Sequence, residues 1–437
     1  MNVESLFRST LVSAAVVLAA SCSPSSHQTE NGTGNPTEAD AGPTLIECFD
    51  IATEATEQED WTKAREAFKT GLELEPNIPA LHIYAARTEA RLGDEAACRA
   101  HLEAAVRLGA TTDLAADEAY AGLLDQPAFQ DLAQRLLTNG APMIEAEIVH
   151  RFADAELWPE GIAVDTTTGD LYVGSIGRRA IYRLSPGGRV EELGTSSADG
   201  LMEVLGMWVD SQNRTLWAAT GLGEYNEPMD GPPRKNELVR YNIETGRLEH
   251  RYVVPDDELR LLNDVVVGVD GTAWATETLR GELFRVPPGG ELEVFRRYPE
   301  LIFLNGIALS SDGETLYLGH YGGLSRVSTD DGSIEAIRGT DMALGMVDGL
   351  SRIDDGIVVV QNSRHVNFRV VRVGFGQDET MAEDLEVLDC GLPDGLIPYT
   401  CAVHDGTVFV IAGADFALKD GEEPPPAPAV VRIPLDS

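Results

Sequence analysis

From Pro142 onward, short apolar strands alternate with turn residues in a layout that recurs six times. Phe303 to Val327 shows the unit. Asn305-Gly306 opens an apolar run through Ile307, Ala308 and Leu309, and Ser310 to Gly313 form a turn. Thr315 to Leu318 then alternate as a second strand, and Gly322-Gly323 breaks before a third from Leu324 to Val327. The other copies begin WPEGIAVD, LGMWVD, LNDVVVGVDG, VDGLSRIDDG and YTCAVHDG, each followed by two more apolar strands. Copies start 42 to 58 residues apart, with room for a more polar fourth strand such as Ser333 to Ile337. Antiparallel units at this period predict a mainly β chain, with a six-bladed β-propeller over 144–437. The strand Ile144 to Phe152 precedes the first copy and is expected to complete the last blade, leaving no open edge.

Before Pro142 the apolar spacing is helical. Between Leu45 and Leu137, Ala64, Phe68, Gly71 and Pro76 are answered at a period of 34 by Cys98, Leu102, Ala105 and Ala110. This resembles tetratricopeptide repeats, about two of them, and defines a small all-α domain over 44–140. Asp113 to Leu124 and Phe129 to Leu137 are expected to cap it with further helix. Such a module is either a docking surface for a protein partner or a spacer or lid packed on the next domain.

The first residues read as export machinery. Arg8 precedes an apolar run from Leu11 to Ala20, too short to span a bilayer, and Ala19-Ala20-Ser21 leads to Cys22. Residues 1–22 resemble a bacterial lipoprotein signal. The resemblance implies lipidation of Cys22, a periplasm-facing anchor in the membrane and, with Ser23 next, sorting to the outer membrane. Residues 23–43 are polar and rich in Ser, Pro and Gly, a flexible linker. Cys48, Cys98, Cys390 and Cys401 match no zinc motif; Cys390 and Cys401, on adjacent segments, are candidates to pair. Charge narrows the partners further. With 72 acidic and 33 basic residues the formal net charge is -39, which argues against nucleic acid.

In a propeller the first strand of each blade lines the central channel, so residues just before it gather at one mouth. The position of Asn305 is filled by Glu160, Leu205, Asn263, Asn305, Asp348 and Thr400 in successive copies. Asn263, Asn305 and Asp348 each stand seven positions before an Asp-Gly turn, at Asp270, Asp312 and Asp355. Any one of them alone reads as an ordinary strand-opening turn residue. Together Glu160, Asn263, Asn305 and Asp348 offer two carboxylates and two amide oxygens, a set suited to a divalent metal such as Ca²⁺.

Pro159-Glu160-Gly161, Asn263-Asp264, Asn305-Gly306 with LSSDGETLYLG, and Asp348-Gly349 resemble the gluconolactonase, regucalcin and luciferin-regenerating-enzyme family of six-bladed propellers, across about 145–436. The resemblance implies a metal-dependent hydrolase of a lactone or related ester, with Glu160, Asn263, Asn305 and Asp348 on the metal and Asp348 as general base. A phosphotriesterase-like hydrolase shares these ligands, and a non-enzymatic metal-binding scaffold is the alternative of another class. One departure stands out. Sugar-lactonase members resemble Arg-x-Asn-Asp at the third blade, whereas this chain has Leu261-Leu262-Asn263-Asp264, with Arg260 one position too early, which argues against a sugar acid lactone. Loops between second and third strands are expected to rim the substrate mouth. They carry His320, Glu277, Arg364 and His365, with Trp158, Trp208 and Tyr399 as pocket walls and Gly221 to Glu237 as a flap.

Overall fold

The computed structural model describes residues 42–221, 236–255, 258, 260–339, 342–376, 379–414 and 426–435. The signal segment with Cys22, nearly all of the 23–43 linker and nearly all of the Gly221 to Glu237 flap lie outside them. Among the described residues no helix is long and apolar enough to cross a membrane.

Five helices come first: α1 (Leu45–Glu57), α2 (Trp61–Leu74), α3 (Pro79–Leu92), α4 (Glu95–Arg107) and α5 (Pro127–Asn139). Local chemistry sets their ends. Thr44 and Glu47 form a capping box on α1, Asp60 and Asp94 cap α2 and α4, and Gly93 closes α3 in the left-handed conformation. The two hairpins α1–α2 and α3–α4 keep the expected spacing. The helix expected over Asp113 to Leu124 is not formed: two short 3₁₀ turns, Leu114–Ala116 and Glu118–Tyr120, take its place. Asp113 and Asp117 each bond an amide two residues on, which tightens the chain into separate turns.

Six four-stranded antiparallel sheets follow, in the predicted order. Their innermost strands are Pro159–Val164, Glu203–Asp210, Leu262–Val267, Ile307–Leu309, Val347–Ile353 and Ile397–His404. The sixth sheet runs from its innermost strand through Thr407–Gly413 and Ala429–Pro434 to Glu147–Arg151, so the earliest strand closes the ring. Second strands such as Leu171–Ser175 and Gly356–Gln361 are buried throughout, because both faces meet neighbouring blades.

The helical domain is not free of the propeller. Leu45, Phe49, Phe68, Leu81 and Tyr84 share one hydrophobic core with Tyr321, Ala343, Met346 and Val366. The Ala343 amide donates to the Leu108 carbonyl, the Thr111 amide to the His365 carbonyl, and Asn367 Nδ2 to the Gly140 carbonyl. All of these propeller residues belong to loops of blades four and five at the mouth that carries Asn305 and Asp348. The helices roof that half of the mouth, so this face of the domain is packed rather than open.

All four described cysteines are free and buried, so the candidate Cys390–Cys401 pair is not formed. Cys390 ends the outer strand Ala382–Cys390, where its sulfur accepts from Asn367 Nδ2, while Cys401 packs in the core between blades five and six.

Candidate active site at the propeller axis

The slot read from the sequence is a structural device. Strand pairing shifts register across Pro159/Ile162, Val204/Met207, Leu262/Val265, Val347/Gly349 and Pro398/Thr400. Glu160, Leu205, Asn263, Asp348 and the residues beside Thr400 thus sit in β-bulges, and Asn305 lies just ahead of its strand. A bulge turns a side chain out of the sheet's alternation, here toward the channel. The residues two before three of the donors, Trp158, Phe303 and Met346, all have positive φ (39°, 51° and 60°). Non-glycine residues rarely adopt this conformation, and its repetition at equivalent positions belongs to the site. Close approach of neighbouring strands fixes the next position: a Cβ on Gly161 would meet the Leu205 carbonyl oxygen, and one on Gly349 the Thr400 hydroxyl.

Asp348 is the hub. Asn305 Nδ2 donates to its Oδ1 at 2.7 Å and Asn362 Nδ2 to its Oδ2 at 2.7 Å. Burial pushes its pKa up to about 6 even though both amides oppose the shift. Asn263 Nδ2 donates to Thr278 Oγ1 at 3.0 Å, and Thr278 donates onward to the Leu304 carbonyl. With the NH₂ groups of Asn263 and Asn305 committed, their amide oxygens remain for a ligand. Glu160 has no hydrogen-bond or ion-pair partner among the described residues. Its carboxyl is raised well above the usual range, first by burial and then by Asp348 and Asp264. It is half-buried on the innermost strand of the first blade.

Asp264 was not singled out by sequence, although it stands where four of the other five copies carry glycine and the fifth carries Cys401. It fills the space over Gly206, where a Cβ would meet its Oδ1. It accepts from the Val265 amide at 2.9 Å and the Ile307 amide at 3.3 Å, yet burial lifts it to about 7. Asn362, expected with Arg364 and His365 in a mouth loop, follows the second strand of blade five, and its contact to Asp348 crosses from that loop to the first strand. Three carboxylates thus share the axis, and among the described residues no Lys, Arg or His contributes to the field at any of them. Buried like charges of this kind are costly without a partner, and the donor set is hard and oxygen-only. It fits a divalent cation. The expected set mixes acids with amides, and no group of three His, Cys, Asp or Glu forms a metal cluster by itself among the described residues.

Several expected pocket residues are elsewhere. Glu277 is fully buried and accepts from the amides of Leu261, Leu279 and Arg280, so it organises its own loop. Tyr399 is core, its hydroxyl donating to the Ala414 carbonyl. Trp208 lies three residues past the slot residue Leu205, and it lines the channel with Val164, Leu309, Arg352 and Val403, beyond the donors. His365 is buried against the helical domain: Nε2 lies 3.2 Å from Tyr84 Oη, and the rings meet edge to face. Arg364, half-buried, sits on the same 3₁₀ turn. His320 points outward along blade four, with Nε2 3.2 Å from Ser325 Oγ. Trp158 remains beside Glu160, half-buried at the entry to the first strand. Arg260 is buried and paired with Glu258 and Glu282, so it does not stand in for the missing third-blade arginine.

Fold and site together define a six-bladed β-propeller with an oxygen-donor cluster at one end of its channel. Residues 158–335 match the family described as SMP-30/Gluconolactonase/LRE-like region, so the resemblance read from the motifs is borne out over that span. Among solved structures, a gluconolactonase from Xanthomonas campestris is 17% identical with a TM-score of 0.40, covering 68% of this chain and 98% of its own. The calcium-binding protein regucalcin from Agrobacterium tumefaciens is 16% identical at TM-score 0.45, covering 65% and 93%. A streptogramin B lyase is 15% identical at TM-score 0.44, covering 67% and 97%. The comparison with curated proteins found no significant match.

Proposed function

We propose that the axial donors hold a divalent cation, Ca²⁺ in the first instance, and that this mouth hydrolyses a lactone or related ester. The observation that carries the reading is Glu160, an enclosed carboxylate left without a partner among the described residues beside two further carboxylates. Glu160, Asn263, Asn305 and Asp348 would hold the ion. Once bound, a dication polarises a carbonyl and stabilises the alkoxide that forms on attack.

Asp348 supplies the proton chemistry. Its two oxygens are each fixed by one amide donor, so the carboxylate cannot rotate away, and each keeps a lone pair for water. It takes a proton from the attacking water as the C–O bond forms, then returns it to the departing ring or ester oxygen. The helical roof covers blades four and five. The family resemblance supports a lactone over other esters, and the absent third-blade arginine favours one less polar than a sugar acid lactone.

The test is a panel of lactones and organophosphates on the full chain, with and without chelator, beside Asp348→Asn. Lactone turnover should vanish on chelation and fall roughly 10²- to 10⁴-fold in the variant. Turnover that survives chelation would remove the metal from the mechanism. Metal binding with no turnover would leave a scaffold, and faster organophosphate cleavage would favour the phosphotriesterase reading.

A further inference from the structure

A second cavity, of about 300 Å³, lies away from the axis where the helical domain meets blade four. Glu75, at the end of α2, and Leu108 close it from the helical side. His320, Ser325, Leu324 and Ile337 form its floor, and Leu344 walls it. Ser325 is on the third strand of the blade, so the floor faces outward rather than into the channel. The volume is at the small end of ligand sites.

One group lies in the floor and one faces it from the helical side. His320 is 6% exposed; its Nε2 faces Ser325 Oγ, and its Nδ1 is buried with no hydrogen-bond partner among the described residues. The Glu75 carboxylate lies against Gly322, which leaves it room only because that residue has no Cβ, and it makes no hydrogen bond or ion pair to a described residue. Burial raises its pKa. At the rim Glu300 adds a second acid and Arg338 a single base, both exposed. Asn77 adds an exposed amide, and Leu108, Leu301, Leu324, Ile337 and Leu344 form a buried apolar wall.

We infer that this junction cavity binds a small molecule with a protonated amine and a short apolar body. The ammonium donates to the Glu75 carboxylate, with the His320 ring in the floor beneath it. The apolar body lies on the leucines. An occupant touches the helical domain and blade four at once and clamps the roof to the propeller. Its site is distinct from the axial donors, which lie on first strands.

The experiment is thermal unfolding of the full chain with butylammonium chloride, 1-butanol or sodium butyrate at matched ionic strength. Butylammonium alone should raise the midpoint, and saturably. Glu75→Gln, a half-exposed position, should weaken its apparent affinity at least tenfold, as expected for loss of a charged acceptor. Asp348→Asn should leave the response intact. The inference is overturned by an absent or unsaturable shift, by an equal shift with butanol or butyrate, or by unchanged affinity in Glu75→Gln. Loss of the response in Asp348→Asn would move the amine to the axis and overturn it equally.

Discussion

Glu160, Asp264 and Asp348 meet at the axis as three acids raised by burial, and their mutual repulsion makes a specific demand on the chain without metal. Replacing Glu160 with Gln removes one buried charge. Chelated Glu160→Gln protein should therefore melt higher than chelated wild type, while its gain on adding Ca²⁺ shrinks. A lower melting point in chelator would show that the glutamate is satisfied without metal. Asn263, Asn305 and Asp348 were legible in the sequence because one register repeats, each seven positions before an Asp-Gly turn, and Glu160 fills the same slot of the first copy. Asp264 carried a signal too, a carboxylate where four of its five siblings have glycine, but Asn-Asp also reads as a common turn pair. The directions of His320, Trp208 and Tyr399 were not legible. Residues adjacent in a loop diverge once a bulge or a third strand sets their faces, and that depends on neighbouring blades.

Strands and helices were far more readable than side-chain direction, since period-2 and helical spacing are local properties. The packing of the hairpins onto the mouth was not, because their inward face is as apolar as any peptide-binding groove. Tyr84 and Leu81 on α3 test that junction. Tyr84→Phe keeps the ring contact with His365 but loses its hydroxyl bond, at about 1 kcal/mol. Leu81→Ala, at a side chain 1% exposed, should cost roughly 2–5 kcal/mol. Hydrogen exchange should quicken in α3 and in the Met346 and Val366 loops together if the two domains share one core. Faster exchange in the helices alone would contradict the shared core.

At the scale of the whole molecule, pH acts on two opposed sets of buried groups. His320 and His365 are lowered to about 4 by burial, so between about 4 and the ordinary value of 6.5 the unfolded chain binds more protons. Their contribution is full above 6.5 and is lost as pH falls toward 4. The axial carboxylates have the reverse sign: the folded chain binds more protons, and stability falls as pH rises through about 6 to 7. A bound divalent ion cancels the second effect and leaves the first. The melting-point gain from Ca²⁺ should thus widen from pH 5.5 to pH 8, because protons compete for the same oxygens. A gain independent of pH would place the ion away from these acids.

The central claim, that the axis is built for a divalent ion, is met most directly by calorimetric titration of Ca²⁺ into the chelator-stripped full chain at pH 8, beside Glu160→Gln. One site per chain is predicted, weakened at least tenfold in the variant, as expected for loss of a charged ligand. No binding, or binding of equal strength in Glu160→Gln, would contradict it.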